Sequence, residues 1–297
     1  MPFTPARFQR PRLLIVGCGD IGMRVVELLR PHWRLFALTT SAERAAAIRA
    51  AGAQPLIGNL DEPATLARLA GLAERVLHLA PPPQRGTRDA RTANLLHALA
   101  RKGGVQRLVY ASTSGVYGDC GGARFDETRP VNPATDRARR RVDAEAHLRW
   151  FGRASGARVT ILRIPGIYAG DRAGGHPRER LARGMPVLQP GDDVYTNHIH
   201  ADDLARACVA ALVRGRPQRV VHASDDSELR MGDYFDLAAD LCGLPRPPRI
   251  TRDQAREQLS AMQLSFMGES RRLCNRRLKT ELRLRLHHPT VHSGLLA

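Results

Sequence analysis

Arg12–Arg30 reads RLLIVGCGDIGMRVVELLR, and the order of its parts indicates the fold class. Four apolar residues, LLIV, run into the glycine pattern GCGDIG, and the residues behind it repeat apolar side chains at helical spacing. A buried strand, a glycine turn and a helix in this order form the fingerprint of dinucleotide binding. Gly17 permits the tight turn, Gly19 lets the backbone approach a pyrophosphate, and Gly22 lets helix and strand pack closely. The first N–H groups and the positive end of the helix dipole then face the anion.

Apolar strand patterns alternate with helical patterns along the rest of the chain. This alternation predicts an α/β fold, a Rossmann-type doubly wound parallel sheet with a small C-terminal substrate lobe. We expect the Rossmann domain over residues 1–165 and 197–223, and the lobe over residues 166–196 and 224–297. The predicted strands are 13–16, 34–39, 55–58, 76–80, 107–111, 159–164 and 219–223, and the predicted helices are 21–30, 42–51 (closed by Gly52), 63–72 and 89–103. Loops at 119–136 and 169–193 are expected to approach a substrate.

The 297-residue chain carries a formal net charge of +17, which raises the question of nucleic acid. Only Lys102 and Lys279 are lysines among its 46 basic residues, so the charge comes from arginines spread along the whole sequence. Such a bias is typical of GC-rich coding, and no nucleic-acid-reading motif accompanies it. We therefore expect no specific nucleic-acid partner, although non-specific binding of polyanions at low salt is consistent with the charge.

Five scattered cysteines show neither metal-ligand spacing nor a disulfide pattern, which indicates reduced thiols. No apolar run reaches the roughly 18 residues of a membrane span. The basic start MPFTPARFQRPR lacks the apolar core of a secretory signal. We expect a cytoplasmic protein that does not bind membranes.

Four further motifs follow the glycine turn in order: VLHLAPPP (76–83), YASTSGVYGD (110–119), ILRIPGIYAG (161–170) and NHIHADDLARA (197–207). With these motifs the chain resembles the extended short-chain dehydrogenase/reductase superfamily of the NAD-dependent epimerase/dehydratase type, and within it the atypical branch. The resemblance implies binding of NAD or NADP. The cofactor-binding positions that the glycine turn and the resemblance together predict are Gly17, Gly19, Asp20, Ile21, Gly22, Thr39, Thr40, Ser41, Arg44, Asn59, Leu60, Leu79, Ala80, Pro81, Pro165, Gly166 and Ile167.

The usual catalytic pair of that superfamily is missing. Typical members carry a Tyr, a Lys four residues later and a Glu four beyond, whereas this chain has Arg137, Arg141 and Glu145. Arg141 can bind a nicotinamide ribose in place of the Lys. Arg137 cannot replace the Tyr, because a guanidinium is not deprotonated in proteins. The alternative is that Arg137, Arg139 and Arg140 form a solvated helix face paired with Asp143 and Glu145.

The resemblance leaves Thr113, Tyr117 and Arg141 as the predicted catalytic residues. Thr113 lies at the family's hydrogen-bonding Ser or Thr position, and its alternative role is to bond the loop backbone. Tyr117 ranks first as a proton donor because it shares a loop with Thr113; its alternative role is to support that loop or stack on the cofactor. Tyr168 and Tyr195 are expected in loops, Tyr110 in a strand and Tyr234 in a helix, and His200 could titrate near neutrality. No metal site is predicted, because no carboxylate set surrounds His198 and His200 at a recognisable spacing.

The end of the second strand bears on the choice of cofactor. An NAD site places an acidic residue about 20 residues beyond the first glycine. Thr39, Thr40 and Ser41 stand there, followed by Arg44, a set that suits a 2′-phosphate. NADP is therefore favoured over NAD, with Glu43 as the competing feature.

Two functions remain open at this point. One is an NAD(P)-dependent oxidoreductase or epimerase-like enzyme acting on a small hydroxylated or nucleotide-sugar substrate; the other is a non-catalytic redox sensor that binds the cofactor and regulates a partner. The family's dimer contact would join residues 89–103 to the arginine-rich segment 135–155. The arginines of segment 135–155 would repel one another across that contact, so a monomer or a weak homodimer is expected.

Overall fold

The structure is a computed structural model that describes residues 10–296, except the side chain of Met262. Its strands are β1 (Arg12–Val16), β2 (Arg34–Thr39), β3 (Gln54–Ile57), β4 (Arg75–His78), β5 (Arg107–Thr113), β6 (Arg124–Phe125), β7 (Arg158–Ile164), β8 (Gly166–Tyr168), β9 (Val187–Leu188), β10 (Tyr195–Thr196), β11 (His198–His200), β12 (Arg219–His222), β13 (Leu229–Arg230), β14 (Arg249–Ile250) and β15 (Arg272–Leu273). Its α-helices are α1 (Asp20–Leu29), α2 (Glu43–Ala51), α3 (Ala90–Ala100), α4 (Asp136–Ser155), α5 (Arg178–Ala182), α6 (Ala201–Arg214), α7 (Met231–Cys242), α8 (Arg252–Gln258), α9 (Ala261–Met267), α10 (Arg276–Thr280) and α11 (Val291–Leu295).

Seven strands form the central parallel sheet, in the order β12-β7-β5-β4-β1-β2-β3. Strand β1 lies between β2 and β4, with Leu14 opposite Phe36 on one side and Val76 on the other. Its four apolar residues are fully buried, as expected for a strand covered on both faces. The predicted α/β, Rossmann-type sheet is confirmed.

The chain divides into two compact units. The first unit comprises the residues up to Ser112, together with Arg139–Leu162 and Ala205–Val220; the second comprises Thr113–Ala138, Arg163–Leu204 and the residues from Val221 onward. The predicted boundaries differ mainly at residues 113–138, which were expected in the Rossmann domain but belong to the second unit. Contacts made far along the chain hold them there: β6 pairs with β15, and Cys120 N donates to Ser270 O at 3.1 Å. The first nine residues of the predicted domain lie outside the described part.

The first unit has one apolar core against the sheet. Leu14, Phe36, Val76 and Leu108 contribute from strands, and Leu148 contributes from α4. Helix α2 ends at Gly52, whose φ of 101° is the left-handed conformation that glycine adopts most readily. The predicted helix over 63–72 is shorter, a 3-10 helix over Pro63–Leu69. It ends there because Ala70 is extended and Gly71 adopts the left-handed conformation (φ 69°).

The second unit has its own core, built largely from α7 and the short strands. Tyr168, Tyr234 and Phe235 are its large aromatic members. Tyr110 in β5 and Tyr234 in α7 are buried as predicted, whereas Tyr168 and Tyr195, expected in loops, lie in β8 and β10. The region expected as loops at 119–136 and 169–193 contains β6, α5 and β9.

All five cysteines are free thiols. Burial raises the pKa of Cys18 to about 11, so this thiol beside the glycine turn stays protonated and unreactive. No helix within residues 10–296 combines the length and the apolar character that a membrane span requires.

His198 makes the stability of the second unit depend on pH. Its ring stacks on Tyr234 at 4.2 Å, and burial lowers its pKa from 6.5 to about 4. Between these two values the unfolded chain binds the proton and the folded chain does not, so stability is lost as the pH falls through this range.

His198→Phe keeps the stacked ring and removes the titration. When the pH falls from about 7 to about 5, we expect the unfolding free energy of wild type to drop by about 2 kcal/mol more than that of the variant. Urea unfolding at both pH values measures the difference. Comparison with wild type is needed because Asp225, whose pKa burial raises to about 8, titrates in the opposite sense. Parallel pH profiles for the two proteins would contradict the assignment.

Candidate dinucleotide-binding site

The glycine turn after β1 is shaped by two close approaches. Gly17 has a φ of 87°, and a Cβ there would lie 2.5 Å from the backbone nitrogen of Ala80. A Cβ at Gly22 would lie 3.3 Å from Cys18 Sγ and 3.4 Å from Ile15 Cγ2, so this glycine sits at the contact of α1 with β1. Both glycines therefore have the roles predicted for them, the tight turn and close helix–strand packing.

Gly19 differs from these two glycines because no steric contact within the protein requires a glycine at this position. Its φ of −83° and ψ of −154° are extended backbone that any residue adopts, and a Cβ would meet nothing within 4 Å. It is the N-cap of the ten-residue helix α1, where no side chain accepts a hydrogen bond from the first turn. Uncapped N–H groups at a helix N-terminus favour a bound anion, and the space at this N-terminus is open.

A cleft of about 380 Å³ opens at this turn, at the carboxyl ends of β1, β2, β3 and β4. This is the edge at which open parallel sheets bind ligands. Of the predicted cofactor positions, ten line it: Gly17, Gly19, Thr39, Thr40, Arg44, Asn59, Leu60, Leu79, Ala80 and Pro81. Asp20, Ile21, Gly22 and Ser41 do not line it, and Pro165, Gly166 and Ile167 belong to the second unit.

Arg44 brings a positive charge to the wall of the cleft. Its Nη2 donates to the Cys18 carbonyl oxygen at 2.7 Å, which holds the guanidinium against the glycine turn. The backbone nitrogen of Ser41 donates to Thr39 Oγ1 at 3.2 Å, and this bond holds the turn that leads into α2, the helix that carries Arg44. Glu43 is exposed and does not line the cleft.

Arg91 is a cleft residue that the sequence did not predict. Its Nε and Nη2 donate to the two carboxylate oxygens of Asp61 at 2.8 and 2.6 Å, and its Nη1 donates to the Pro81 carbonyl oxygen at 3.2 Å. The residue thus ties the loop after β3 to the loop after β4, and these loops form two walls of the cleft. Such a bidentate pair between distant residues has no spacing that would identify it in the sequence.

A buried hydrogen-bond chain fixes the end of β4 beside the cleft. Thr92 Oγ1 donates to Asp89 Oδ2 at 2.8 Å, so it accepts from His78 Nε2 at 2.9 Å. His78 is therefore neutral, with its proton on Nε2, and burial lowers its pKa to about 3. Asp89 also caps α3 by accepting from Thr92 N at 3.0 Å.

Arg141 is anchored next to this strand end. Its Nη1 donates to the Ala111 carbonyl oxygen at 2.8 Å and to the Tyr110 hydroxyl at 3.0 Å. Glu145, one turn further on α4, is buried and accepts from Ser112 Oγ at 2.7 Å. Arg141 and Glu145 are thus both bound to the end of β5.

The solvated-face alternative describes α4 only in part. Arg137 and Arg139 are exposed, and the Arg137 guanidinium lies 5.0 Å from the Phe266 ring centre. Arg140 is buried instead, and it donates to the Gly86 carbonyl oxygen. Asp143 accepts from the backbone nitrogen of Asp89 at 2.7 Å. Arg140 therefore packs inside the first unit, because a backbone oxygen is available to its guanidinium there.

Thr113 and Tyr117 both make contacts within the second unit. Thr113 Oγ1 accepts from Gly115 N at 3.2 Å and caps the 3-10 turn Ser114–Tyr117, which is the backbone role named as its alternative. Tyr117 is 1% exposed, and its hydroxyl accepts from Arg163 Nη1 at 2.7 Å. The same hydroxyl lies 2.6 Å from His222 Nε2.

The proton positions in this network follow from its last member. His222 Nδ1 lies 3.0 Å from the Cys274 carbonyl oxygen, so Nδ1 carries the proton and Nε2 accepts from Tyr117. Burial lowers the pKa of His222 to about 3, which keeps the ring neutral. A phenol with both its donor and acceptor functions used in this way supports packing, the alternative named for Tyr117, rather than proton transfer to a ligand.

The two other proton donors considered from the sequence are also buried in the second unit. Tyr168 donates to Asp225 Oδ2 at 3.3 Å or to the Thr290 carbonyl oxygen at 3.2 Å, and burial raises the pKa of its hydroxyl. His200 is 4% exposed, and its Nδ1 accepts from Asp202 N at 3.2 Å.

The model of the NAD dependent epimerase/dehydratase family matches residues 13–223, which include the glycine turn, the cleft and α4. The chain belongs to this family. The sequence-based resemblance is therefore confirmed at the level of the family.

Individual relatives show how far the likeness extends. A conserved protein of unknown function from Silicibacter pomeroyi shares 32% identity and a TM-score of 0.83, with 97% of each chain covered. The UDP-glucuronic acid 4-epimerase of Bacillus cereus, solved with UDP-glucuronic acid and NAD, shares 18% identity and a TM-score of 0.75 over 96% of this chain and 97% of that one. The dTDP-glucose 4,6-dehydratase of Mycobacterium tuberculosis is 28% identical over 73% of each chain. The alignments with the human and bovine dTDP-D-glucose 4,6-dehydratases span only 44% and 43% of those enzymes.

Proposed function

We propose that the cleft at the glycine turn binds a nicotinamide dinucleotide. The observation that carries this proposal is Gly19, an N-cap glycine whose missing side chain leaves open space beside uncapped helix N–H groups. A pyrophosphate explains both features, and the chain's membership of the NAD-dependent family agrees with it. Bound there, a nicotinamide ring supplies hydride transfer.

The residues divide the binding between them. The backbone around Gly17 and Gly19 holds the pyrophosphate, and Arg44 faces the adenosine ribose. Arg141 uses Nη1 to hold the end of β5, and in the described part of the chain its other nitrogens make no hydrogen bond, so they can reach the nicotinamide ribose as the family's Lys does. Arg91 keeps the two loop walls at a fixed separation.

We propose NADP(H) as the preferred cofactor. Thr39, Thr40 and Arg44 line it, whereas the neighbouring Glu43 does not. A guanidinium and hydroxyls bind a 2′-phosphate better than an acidic side chain does. We expect wild type to bind NADPH about tenfold more tightly than NADH, and Arg44→Ala to abolish most of that difference.

Fluorescence titration of both nucleotides against both proteins measures the preference. Arg49→Ala, on the same helix and absent from the cleft lining, is the matched control and should leave the ratio unchanged. Tighter binding of NADH by wild type would contradict the assignment to NADP.

We propose further that the chain is an oxidoreductase or epimerase-like enzyme acting on a nucleotide sugar or another small hydroxylated molecule. Support comes from its relatives, which are named as nucleotide-sugar epimerases and dehydratases. The second candidate is a non-catalytic protein that binds the cofactor and reports redox state to a partner. It is favoured by Arg137 at the Tyr position and by the burial of Tyr117.

A substrate panel separates the two candidates. UDP- and dTDP-sugars and simple hydroxylated compounds are incubated with the protein and each nicotinamide nucleotide, and products are measured by absorbance of the reduced ring and by chromatography. Turnover of any member supports the enzyme. Tight cofactor binding with no turnover across the panel favours the sensor.

A further inference from the structure

Two histidines and an aspartate meet in the second unit, outside the cofactor cleft. His200 ends β11, Asp202 lies in the first turn of α6, and His288 precedes α11. One ligand atom from each lies within 4.8 Å of the other two. His200 Nδ1 and Asp202 Oδ2 are 3.8 Å apart, and the two imidazole centres are also 3.8 Å apart. This group is called the His–Asp–His cluster below.

The fold fixes the two histidines in place. Asp203 is fully buried, and its two carboxylate oxygens accept from His287 N at 2.9 Å and His288 N at 2.8 Å. This clamp places the backbone of His288 against the start of α6. On the other side, the ring of Tyr168 meets His200 edge-on at 5.4 Å.

Two imidazoles and one carboxylate form a donor set for Zn²⁺ and similar transition metals, while Mg²⁺ and Ca²⁺ prefer oxygen ligands alone. Bond lengths of about 2.0–2.2 Å put tetrahedral ligand atoms roughly 3.3–3.5 Å apart, so the cluster must tighten by about 1 Å. Asp202, whose side chain is 47% exposed, and the half-buried His288 can make that movement. His200 Nδ1 accepts a hydrogen bond from Asp202 N, and a bound metal would replace that hydrogen bond.

We propose that the His–Asp–His cluster is a binding site for a divalent transition metal of the Zn²⁺ class, with a fourth position open to water. The sequence predicted no metal site, because no carboxylate set surrounds His198 and His200 at a recognisable spacing. His288 lies far along the chain from His200, and the Asp203 clamp holds its backbone near the start of α6. The site lies entirely within the second unit and does not depend on cofactor binding.

Metal binding to the full-length chain tests the proposal. Protein stripped with a chelator and dialysed is titrated with Zn²⁺ and, separately, with Co²⁺. We expect one equivalent to bind, with intense Co²⁺ visible bands typical of low coordination number. His288→Ala and Asp202→Asn should each weaken binding by about 100-fold, whereas His292→Ala, which removes a nearby histidine outside the cluster, should not change it.

Binding weaker than millimolar in wild type would overturn the proposal, as would stoichiometric binding that both variants retain. Asp202→Asn guards against a folding artefact, because the residue is half-exposed and the change preserves its shape. Circular dichroism and NADPH titration of the same samples separate this result from the proposed cofactor site, whose failure would leave the metal result unaffected.

Discussion

Gly19→Val is expected to raise the Kd for nicotinamide nucleotides by about 100-fold or more while the protein stays folded. The backbone at Gly19 is in the extended region that valine favours, and a Cβ there meets no protein atom within 4 Å. The added methyl groups therefore meet no steric obstacle, and the poorer N-cap costs about 1 kcal/mol, which leaves the protein folded. They would fill the space beside the first turn of α1, where the pyrophosphate must approach the N–H groups.

Gly17→Ala is the matched change, and it is expected to reduce stability. Its Cβ would lie 2.5 Å from Ala80 N, in the loop after β4, and its φ of 87° disfavours any L side chain. We expect a loss of about 3 kcal/mol or more in unfolding free energy, because the backbone of the turn or of that loop must move. Urea unfolding and nucleotide titration are measured on both variants. A destabilised Gly19→Val together with a stable Gly17→Ala would show that the turn is built differently.

Tyr117→Phe is expected to cost about 2 kcal/mol of unfolding free energy, the second large effect. The change removes an acceptor for the buried Arg163 and the donor to His222 Nε2, and no water replaces them easily in a site that is 1% exposed. Tyr195→Phe is the control, since the Tyr195 hydroxyl makes no hydrogen bond in the described part of the chain. It should change stability by less than about 0.5 kcal/mol.

The same variant tests the sequence-based hypothesis that Tyr117 donates a proton. That hypothesis expects turnover to fall about tenfold, 1.4 kcal/mol of barrier, with cofactor affinity nearly unchanged. A packing role expects unchanged turnover per folded molecule and a lower unfolding midpoint. Measuring both quantities on one preparation distinguishes the two roles.

The sequence predicted the sheet and ten residues that line the cleft because both depend on local spacing. Gly17, Gly19 and Gly22 take their roles from neighbours within one strand–turn–helix unit, and a run of four apolar residues before a glycine turn predicts a buried strand. Thr39, Thr40 and Arg44 follow from the end of the next strand. The carboxyl ends of parallel strands share one edge, so these residues reach the same cleft.

The remaining features depend on contacts between distant residues. Arg91 pairs with Asp61 through a geometry that no spacing encodes, and Asp203 brings His288 to His200 from near the C-terminus. Tyr117 looked like a loop residue, but Arg163 and His222 from β7 and β12 enclose its hydroxyl. Each of these side chains is placed by tertiary packing, which overrides what the local sequence indicates.

Isothermal titration of NADPH and NADH into the wild-type protein and into Gly19→Val tests whether the open space at Gly19 holds a pyrophosphate. We expect one nucleotide bound per wild-type chain, with NADPH the tighter ligand, and no measurable binding to a folded Gly19→Val. Absence of binding to wild type at millimolar nucleotide, or equal binding to both proteins, would contradict it.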